Sequence, residues 1–130
     1  MEVICIVGLP GSGKTTTAKS ICQYNDVLLD DIKNINDLYS ALRFCDRSNG
    51  KVIITDPNFC ILENRKSAEN ILKFHTVRWI FFENDPVKCL NNVKHRDDGR
   101  PVEESIKFYT KRYDIPKDVK PSKIWQNTNV

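Results

Sequence analysis

The chain has 130 residues, 40% of them hydrophobic, and a formal net charge of +3 at pH 7. This composition predicts one domain with a single core, and it excludes a bilayer-spanning helix, because no apolar run approaches about 20 residues. The five cysteines form no C-x-x-C pair and the two histidines lie far apart, so neither a disulfide framework nor a zinc site is predicted. The first residues form a strand rather than a leader, so we expect a cytoplasmic protein.

Strand and helix signals alternate along the chain. Five strands are predicted, each an apolar run favoured by β-branched or aromatic residues: 3–7, 27–29, 51–55, 77–82 and a short fifth at 123–125. Five helices are predicted from apolar periodicity and capping signals: 14–23, 35–44, 62–72, one from Pro86, and one from Pro101 that ends before Pro116. This alternation predicts an α/β three-layer sandwich, with a parallel sheet of four to five strands and helices on both faces.

The first strand runs into G-x-x-x-x-G-K-T, the pattern of the phosphate-binding P-loop. Its glycines let backbone N–H groups turn onto phosphate oxygens, Lys14 carries a cation to the β- and γ-phosphates, and Thr15 offers a hydroxyl to Mg²⁺. The helix that follows adds the positive end of its dipole. ATP and Mg²⁺ are therefore the expected cofactors. The residues expected to bind them are Gly8, Pro10, Gly11, Ser12, Gly13, Lys14, Thr15 and Thr16.

Acidic residues follow the second and third strands, at the edge where parallel sheets bind ligands. Asp30 and Asp31 end the second strand, and Asp30 is the predicted general base for an incoming hydroxyl. One of this pair could instead cap the next helix. Asp56 ends the third strand and is predicted to hold Mg²⁺ together with Thr15. The alternative for Asp56 is a turn-forming residue before Pro57.

A charged, glycine-containing segment separates the last two predicted helices. We interpret residues 92–101 as a mobile lid that brings Arg96 and Arg100 to the transferring phosphate. The alternative is a solvated loop in which these arginines pair with Asp97 and Asp98. The predicted catalytic set is thus Lys14, Asp30 and Arg96.

These motifs resemble those of P-loop kinases of the polynucleotide kinase type, over residues 1 to about 113. The matching segments are G-L-P-G-S-G-K-T at 8–15, L-D-D-I-K at 29–33, V-I-I-T-D-P-N at 52–58 and the arginine-bearing segment at 96–100. The resemblance implies a P-loop NTPase fold in one kinase domain, residues 1–130, with a tail at 117–130. It also implies that Asp30 is the general base and that Arg96 is the lid arginine.

The same resemblance implies an acceptor-binding set formed by Asp31, Lys33, Asp56 and Asn58. Two positions depart from the family pattern. Lys33 stands where an arginine is common, and Asn92 stands where the lid commonly carries another arginine. Because lysine cannot make the bidentate phosphate contact of arginine, we expect a substrate preference of its own.

The predicted function is an ATP-dependent kinase that acts on a hydroxyl of a nucleic acid, either a 5′-OH end or a hydroxymethylated base in DNA. Nucleoside monophosphate kinases usually insert an acceptor-binding domain between the second and third strands, whereas only residues 32–50 are available here. An open acceptor site and a large substrate are therefore expected. The alternatives are a small-molecule nucleotide or nucleoside kinase, a P-loop ATPase or switch, and a catalytically silent nucleotide-binding module. The resemblance also allows a virus-encoded protein that acts in the host cytoplasm.

Three aromatic residues near the end of the chain are interpreted as core residues rather than as base-stacking ones. They are Tyr109, Tyr113 and Trp125. The basic excess lies in the same region, since residues 88–130 carry 10 basic and 6 acidic side chains, whereas residues 1–87 carry 10 and 11. A phosphate-rich substrate could meet this region, although a solvated basic face is the commoner explanation.

Overall fold

The computed structural model describes residues 1–96 and 102–126. Strands and helices alternate in it as the sequence predicts. The strands are β1 (Glu2–Val7), β2 (Val27–Asp30), β3 (Val52–Thr55) and β4 (Thr76–Phe81). The helices are α1 (Lys14–Ile21), α2 (Ile35–Ser48), α3 (Leu62–Ile71), α4 (Pro86–Arg96) and α5 (Glu103–Thr110), with a 3₁₀ turn at Pro57–Cys60.

All four strands are parallel, in the order β2-β3-β1-β4. The central strand β1 pairs with β3 on one side, where Ile4 lies opposite Ile53, and with β4 on the other, where Ile4 lies opposite Arg78. Every residue of β3 is buried, as is β1 after Glu2. Parallel strands buried on both faces are typical of an α/β protein, which confirms that part of the predicted fold class and is consistent with three layers.

The predicted fifth strand is reduced to one bridge in the part of the chain that the structure describes. Ser122 bridges to Phe82, its N–H donates to the carbonyl of Phe81 at 2.7 Å, and its carbonyl accepts from the N–H of Glu83 at 2.9 Å. The sheet therefore has four strands with a short extension beside β4. This extension brings the chain beyond residue 120 back to the carboxyl edge of the sheet.

Side-chain and backbone caps set the ends of the helices. Asn34 begins α2 by accepting a hydrogen bond from the N–H of Asn36 at 2.9 Å, and Asn49, with φ 59°, ends it in a left-handed conformation. The helix therefore runs four residues past the predicted end at Phe44. Asp85 caps α4 as its sequence predicts, accepting from the N–H of Lys88 at 3.1 Å.

All five cysteines are free thiols. Four of them are buried, namely Cys5, Cys45, Cys60 and Cys89, whereas Cys22 at the end of α1 is half-buried. Burial raises the pKa of three of these thiols, Cys5, Cys60 and Cys89, to about 12.

Among the helices within residues 1–96 and 102–126, none combines the length and the apolar character needed to cross a bilayer.

Arg65 is a buried cation on α3 that the sequence pattern did not single out. Its guanidinium donates to the carbonyls of Phe59 and Cys60 at 2.7 and 3.2 Å and to the carboxylate of Asp114 at 2.8 Å. The guanidinium also lies 5.1 Å from the ring centroid of Phe81. One side chain therefore joins α3 to the 3₁₀ turn, to β4 and to the segment after α5.

Candidate functional site

The loop between β1 and α1, residues 8–13, lies at the carboxyl edge of the sheet. Gly11 and Gly13 adopt φ values of 87° and 100°, a left-handed region that side chains disfavour. A Cβ atom at Gly11 would lie 2.5 Å from the carbonyl oxygen of Cys89, and one at Gly8 would lie 2.5 Å from Ser12 Oγ. The loop is therefore packed closely against α4 and against itself. We call it the glycine-rich loop.

The loop ends at the start of α1, where the first N–H groups of a helix lack partners within the helix. The N-cap residue is Gly13, which makes no side-chain cap. Ser12 is buried, and its Oγ has no hydrogen-bond partner within the described residues. An anion or another polar ligand at this place would find several donors.

Lys14, the first residue of α1, is the cation beside this loop. Its side chain is buried, and Nζ donates to the carbonyl of Leu9 at 3.1 Å, so that it lies folded along the loop. Burial lowers the pKa of Lys14, because the charged form loses water, while the nearby carboxylates of Asp31 and Asp30 oppose this shift. An anionic ligand would compensate this buried charge.

Asp30 lies beside the hydroxyl of Thr15. The Oδ1 atom of Asp30 accepts a hydrogen bond from Thr55 Oγ1 at 2.6 Å and lies 3.5 Å from Thr15 Oγ1. The exposed carboxylate is thus oriented by the end of β3 rather than by its own strand alone. Sequence reasoning did not assign this orienting role to Thr55.

The end of β3 also fixes the backbone that follows Asp30. The N–H of Asp31 donates to the carbonyl of Thr55 at 2.7 Å, and the N–H of Ile32 donates to Asp56 Oδ2 at 3.1 Å. Asp31 is held at φ 65°. Its pKa is raised by partial burial and by the negative charges of Asp56 and Asp30.

Asp56 is buried, and both of its carboxylate oxygens accept backbone N–H groups. Oδ2 accepts from Ile32 and Oδ1 from Asn58 at 2.9 Å, which caps the 3₁₀ turn. This geometry matches the turn-forming alternative, and the carboxylate next to Thr15 is that of Asp30 instead. Within residues 1–96 and 102–126, no group of three or more His, Cys, Asp or Glu side chains is arranged to hold a metal ion.

A cavity of about 300 Å³ opens between the glycine-rich loop and α5. It brings together nine of the predicted site residues, among them Lys14, Thr15, Asp30 and Arg96. The other five are Pro10, Gly11, Gly13, Thr16 and Asp31, and the remaining lining residues are Pro57, Val102, Ser105 and Tyr109. We call this space the main cavity.

Other predicted residues lie outside the lining of the main cavity. Neither Lys33 nor Asn58 lines it, although Asn58 Oδ1 accepts a hydrogen bond from the hydroxyl of Tyr109 at 2.8 Å. Residues 92–96 are helical, so the lid predicted over 92–101 begins no earlier than the end of α4. Arg100 lies outside the described residues.

A second cavity of about 370 Å³ lies on the other side of the glycine-rich loop. Its lining includes Thr16, Thr17, His95, Arg96 and Trp125. Trp125 is 73% exposed, so the interpretation of Trp125 as a core residue was wrong. The reason is the short extension beside β4, which carries Trp125 past the core to the cavity rim.

Tyr109 and Tyr113 were interpreted as core residues, and the structure agrees better with this than for Trp125, since both are partly buried and pack against the core.

Asn92 has a role that the sequence did not predict. Its Nδ2 donates to the carbonyls of Gly11 and Trp125 at 3.1 and 2.8 Å. Where the resembled family commonly has a lid arginine, this chain therefore has a residue that joins the glycine-rich loop to the C-terminal segment.

Fold and site together define an α/β protein with a parallel sheet and a glycine-rich loop at its carboxyl edge. No family model matches the chain. The chain is 32% identical over 123 residues to a protein of Acanthamoeba polyphaga mimivirus named Uncharacterized protein R277, and the match covers 88% of this chain and 87% of the mimivirus protein. The chain therefore belongs to the same family as that viral protein.

Proposed function

We propose that this protein is a P-loop kinase that transfers the γ-phosphate of ATP to a hydroxyl of a nucleic acid. The observation that supports this proposal most is the main cavity itself. Lys14, Thr15, Asp30 and Arg96 all line this one space. In the proposed kinase they would serve as the phosphate-binding lysine, the hydroxyl for a metal ion, the general base and the arginine that neutralises charge. These are the parts that phosphoryl transfer requires, because the reaction depends on positioning and on neutralising charge.

The donor half of the site fits a triphosphate. The left-handed turns at Gly11 and Gly13, the N-terminus of α1 and the hydroxyl of Ser12, which has no partner among residues 1–96 and 102–126, offer donors to phosphate oxygens. Mg²⁺ usually keeps several waters and binds through few protein oxygens together with the phosphates. Thr15, together with waters and phosphate oxygens, would hold it, and it would supply charge neutralisation at the β- and γ-phosphates.

The acceptor half is built around Asp30. In the proposed step, the acceptor hydroxyl oxygen bonds to the γ-phosphorus while the bond from this phosphorus to the β,γ-bridging oxygen breaks, and ADP leaves. Asp30 receives the hydroxyl proton. Its hydrogen bond from Thr55 holds the carboxylate in place for this role, and Arg96 stabilises the charge of the transferring group.

The space between β2 and β3 supports a large acceptor. Only α2 with its short connections occupies residues 31–51, so no inserted domain encloses the acceptor side. A nucleic-acid hydroxyl can reach such an open site, whereas a small nucleotide would have few groups around it. The viral relative is compatible with a virus-encoded enzyme acting in a host cytoplasm.

The test uses γ-labelled ATP and Mg²⁺ with four acceptor classes: 5′-OH DNA, 5′-OH RNA, DNA containing hydroxymethyluracil, and nucleoside monophosphates. We expect label in a polynucleotide. Asp30→Asn should slow transfer by roughly 10²- to 10⁴-fold, the usual contribution of a general base, and should leave ATP affinity nearly intact in calorimetry. Asp37→Asn, an exposed change on α2, is the matched control.

Three outcomes contradict the proposal. Label only in mononucleotides would favour the small-molecule kinase. Release of phosphate without any labelled acceptor would favour an ATPase or switch. Unchanged transfer by Asp30→Asn would remove the general base from the scheme.

A further inference from the structure

Helix α5 carries an exposed aromatic and basic face on the side away from the core. We call Lys107, Phe108, Lys111 and Arg112 the α5 surface; all four side chains are exposed. Phe108 is 45% exposed, and the guanidinium of Arg112 lies 3.8 Å from its ring centroid. Arg112 also donates to the Phe108 carbonyl at 2.8 Å, which holds the cation over the ring.

The charge of this face suits a polyanion. An open groove runs over it, and three basic side chains of the α5 surface line it together with one acidic side chain, Glu104. Glu104 is the i−3 neighbour of Lys107, at 3.8 Å, and both side chains are largely exposed. The groove lining therefore keeps a net positive charge of two.

The α5 surface is continuous with the main cavity. Ser105 and Tyr109 line both spaces. The rings of Tyr109 and Phe108 meet edge to face, with centroids 5.0 Å apart, and the Tyr109 hydroxyl donates to Asn58. A ligand that extends out of the main cavity past Tyr109 would thus meet Phe108 next.

We infer that the α5 surface binds the single strand that leads to the acceptor hydroxyl. Phe108 stacks on a base, and Lys107, Lys111 and Arg112 contact backbone phosphates. Aromatic platforms beside cations are how proteins bind single strands without reading their sequence. This inference rests on the proposed function and names the shape of its acceptor: a strand several nucleotides long rather than a mononucleotide.

The test measures binding without ATP, by the fluorescence anisotropy of a labelled single-stranded oligonucleotide of about 12 nucleotides. Phe108→Ala should weaken binding about 10-fold, since base stacking contributes on this scale. The double variant Lys107→Ala/Lys111→Ala should also weaken it, and should reduce the slope of log affinity against log salt by about 1.4, the value for two phosphate contacts on a single strand.

The chain offers matched controls at the end of α3. Phe74 is 87% exposed and has Lys73 Nζ 5.2 Å from its ring centroid, so it repeats the aromatic and cationic pair away from the main cavity. Phe74→Ala and Lys66→Ala/Lys73→Ala should bind the oligonucleotide like the unmodified protein. Thermal unfolding followed by circular dichroism checks that all variants are folded.

The outcomes separate this inference from the proposed function. Equal binding by the α5 and control variants, or no binding by the unmodified protein, would overturn the α5 surface as a strand site. Loss of binding only in the α5 variants would support it, even if no phosphate transfer were found. In that case the kinase proposal would fail and the binding surface would stand.

Discussion

At the residue scale, Asp26 shows how one carboxylate fixes the start of two strands. Its Oδ2 accepts from the Gln23 N–H at 2.8 Å and from Lys51 Nζ at 2.7 Å, and its Oδ1 accepts from the Lys51 N–H at 2.9 Å. Burial opposes ionisation of Asp26, but these donors outweigh it and hold its pKa below the usual 3.8. The ionised form therefore stabilises the folded state.

Asp26→Asn should lower the free energy of unfolding at pH 7 by about 1.5–3 kcal/mol, because an amide cannot accept from all three donors. The folded-state pKa is depressed, so this contribution is present above pH 3.8 and is lost as the pH falls through the folded-state value. Urea unfolding across pH should show the gap between variant and unmodified protein closing in acid. A gap that stayed constant with pH would contradict this assignment, and the exposed Asp46→Asn is the control.

At the element scale, the glycine-rich loop is shaped by the helix behind it. The loop approaches the backbone of α4 at Gly11 and Cys89, while Asn92 of the same helix holds the Gly11 carbonyl. Around Gly13, by contrast, a Cβ atom would meet nothing within 4 Å. Two glycines with similar backbone angles therefore stand in different surroundings.

Gly13→Ala should destabilise the protein by about 1–2 kcal/mol, the penalty of a left-handed conformation alone. Gly11→Ala adds a clash with the Cys89 carbonyl and with a Val93 methyl group, so it should cost more and should shift α4. Urea unfolding of both variants measures the difference. An equal loss of stability in the two would show that α4 does not constrain the loop.

At the scale of the whole molecule, Arg65 connects segments that are far apart in the chain. Arg65→Met would leave the Phe59 carbonyl without this donor, whereas the Cys60 carbonyl would still accept from the Asp114 N–H at 2.9 Å. An unpaired buried group costs about 1–3 kcal/mol. We expect a loss of stability in this range, measured by denaturant unfolding. Lys66→Met, on the exposed side of the same helix, should have little effect, and a similar loss in both would contradict a special role for Arg65.

Local patterns predicted the strands and helices well, because the hydrophobic periodicity of each can be recognised within roughly 5 to 15 neighbouring residues. The same patterns left two roles open for Asp56, and they predicted neither the burial of Arg65 nor the exposure of Trp125. From the sequence alone, Arg65 is expected to be an exposed charge on a helix, because its contact with Asp114 arises only in the folded chain. Asp56 and Trp125 depend in the same way on Ile32 and Asn92, which are distant in sequence.

The features of the candidate site likewise fall into two groups, those that the sequence predicted and those that needed the tertiary structure. The glycine-rich loop and the strand-end acids are contiguous motifs, so their common edge followed from a parallel sheet. The orientation of Asp30 by Thr55 and the lining by Tyr109 needed the strand order and the position of α5. Such long-range pairings are not encoded in any short stretch of sequence.

Because four of the five thiols are buried, their alkylation can be used to detect opening of the core. Burial keeps reagents away from the thiols of Cys5, Cys60 and Cys89 and raises their pKa to about 12, so we expect them to react slowly with alkylating reagents while the core is closed. Cys22 alone is partly accessible. Mass spectrometry after brief alkylation would therefore count one modification on closed molecules and up to five on opened ones, and a ligand that stabilises the fold would be detected without a label or any knowledge of its reaction.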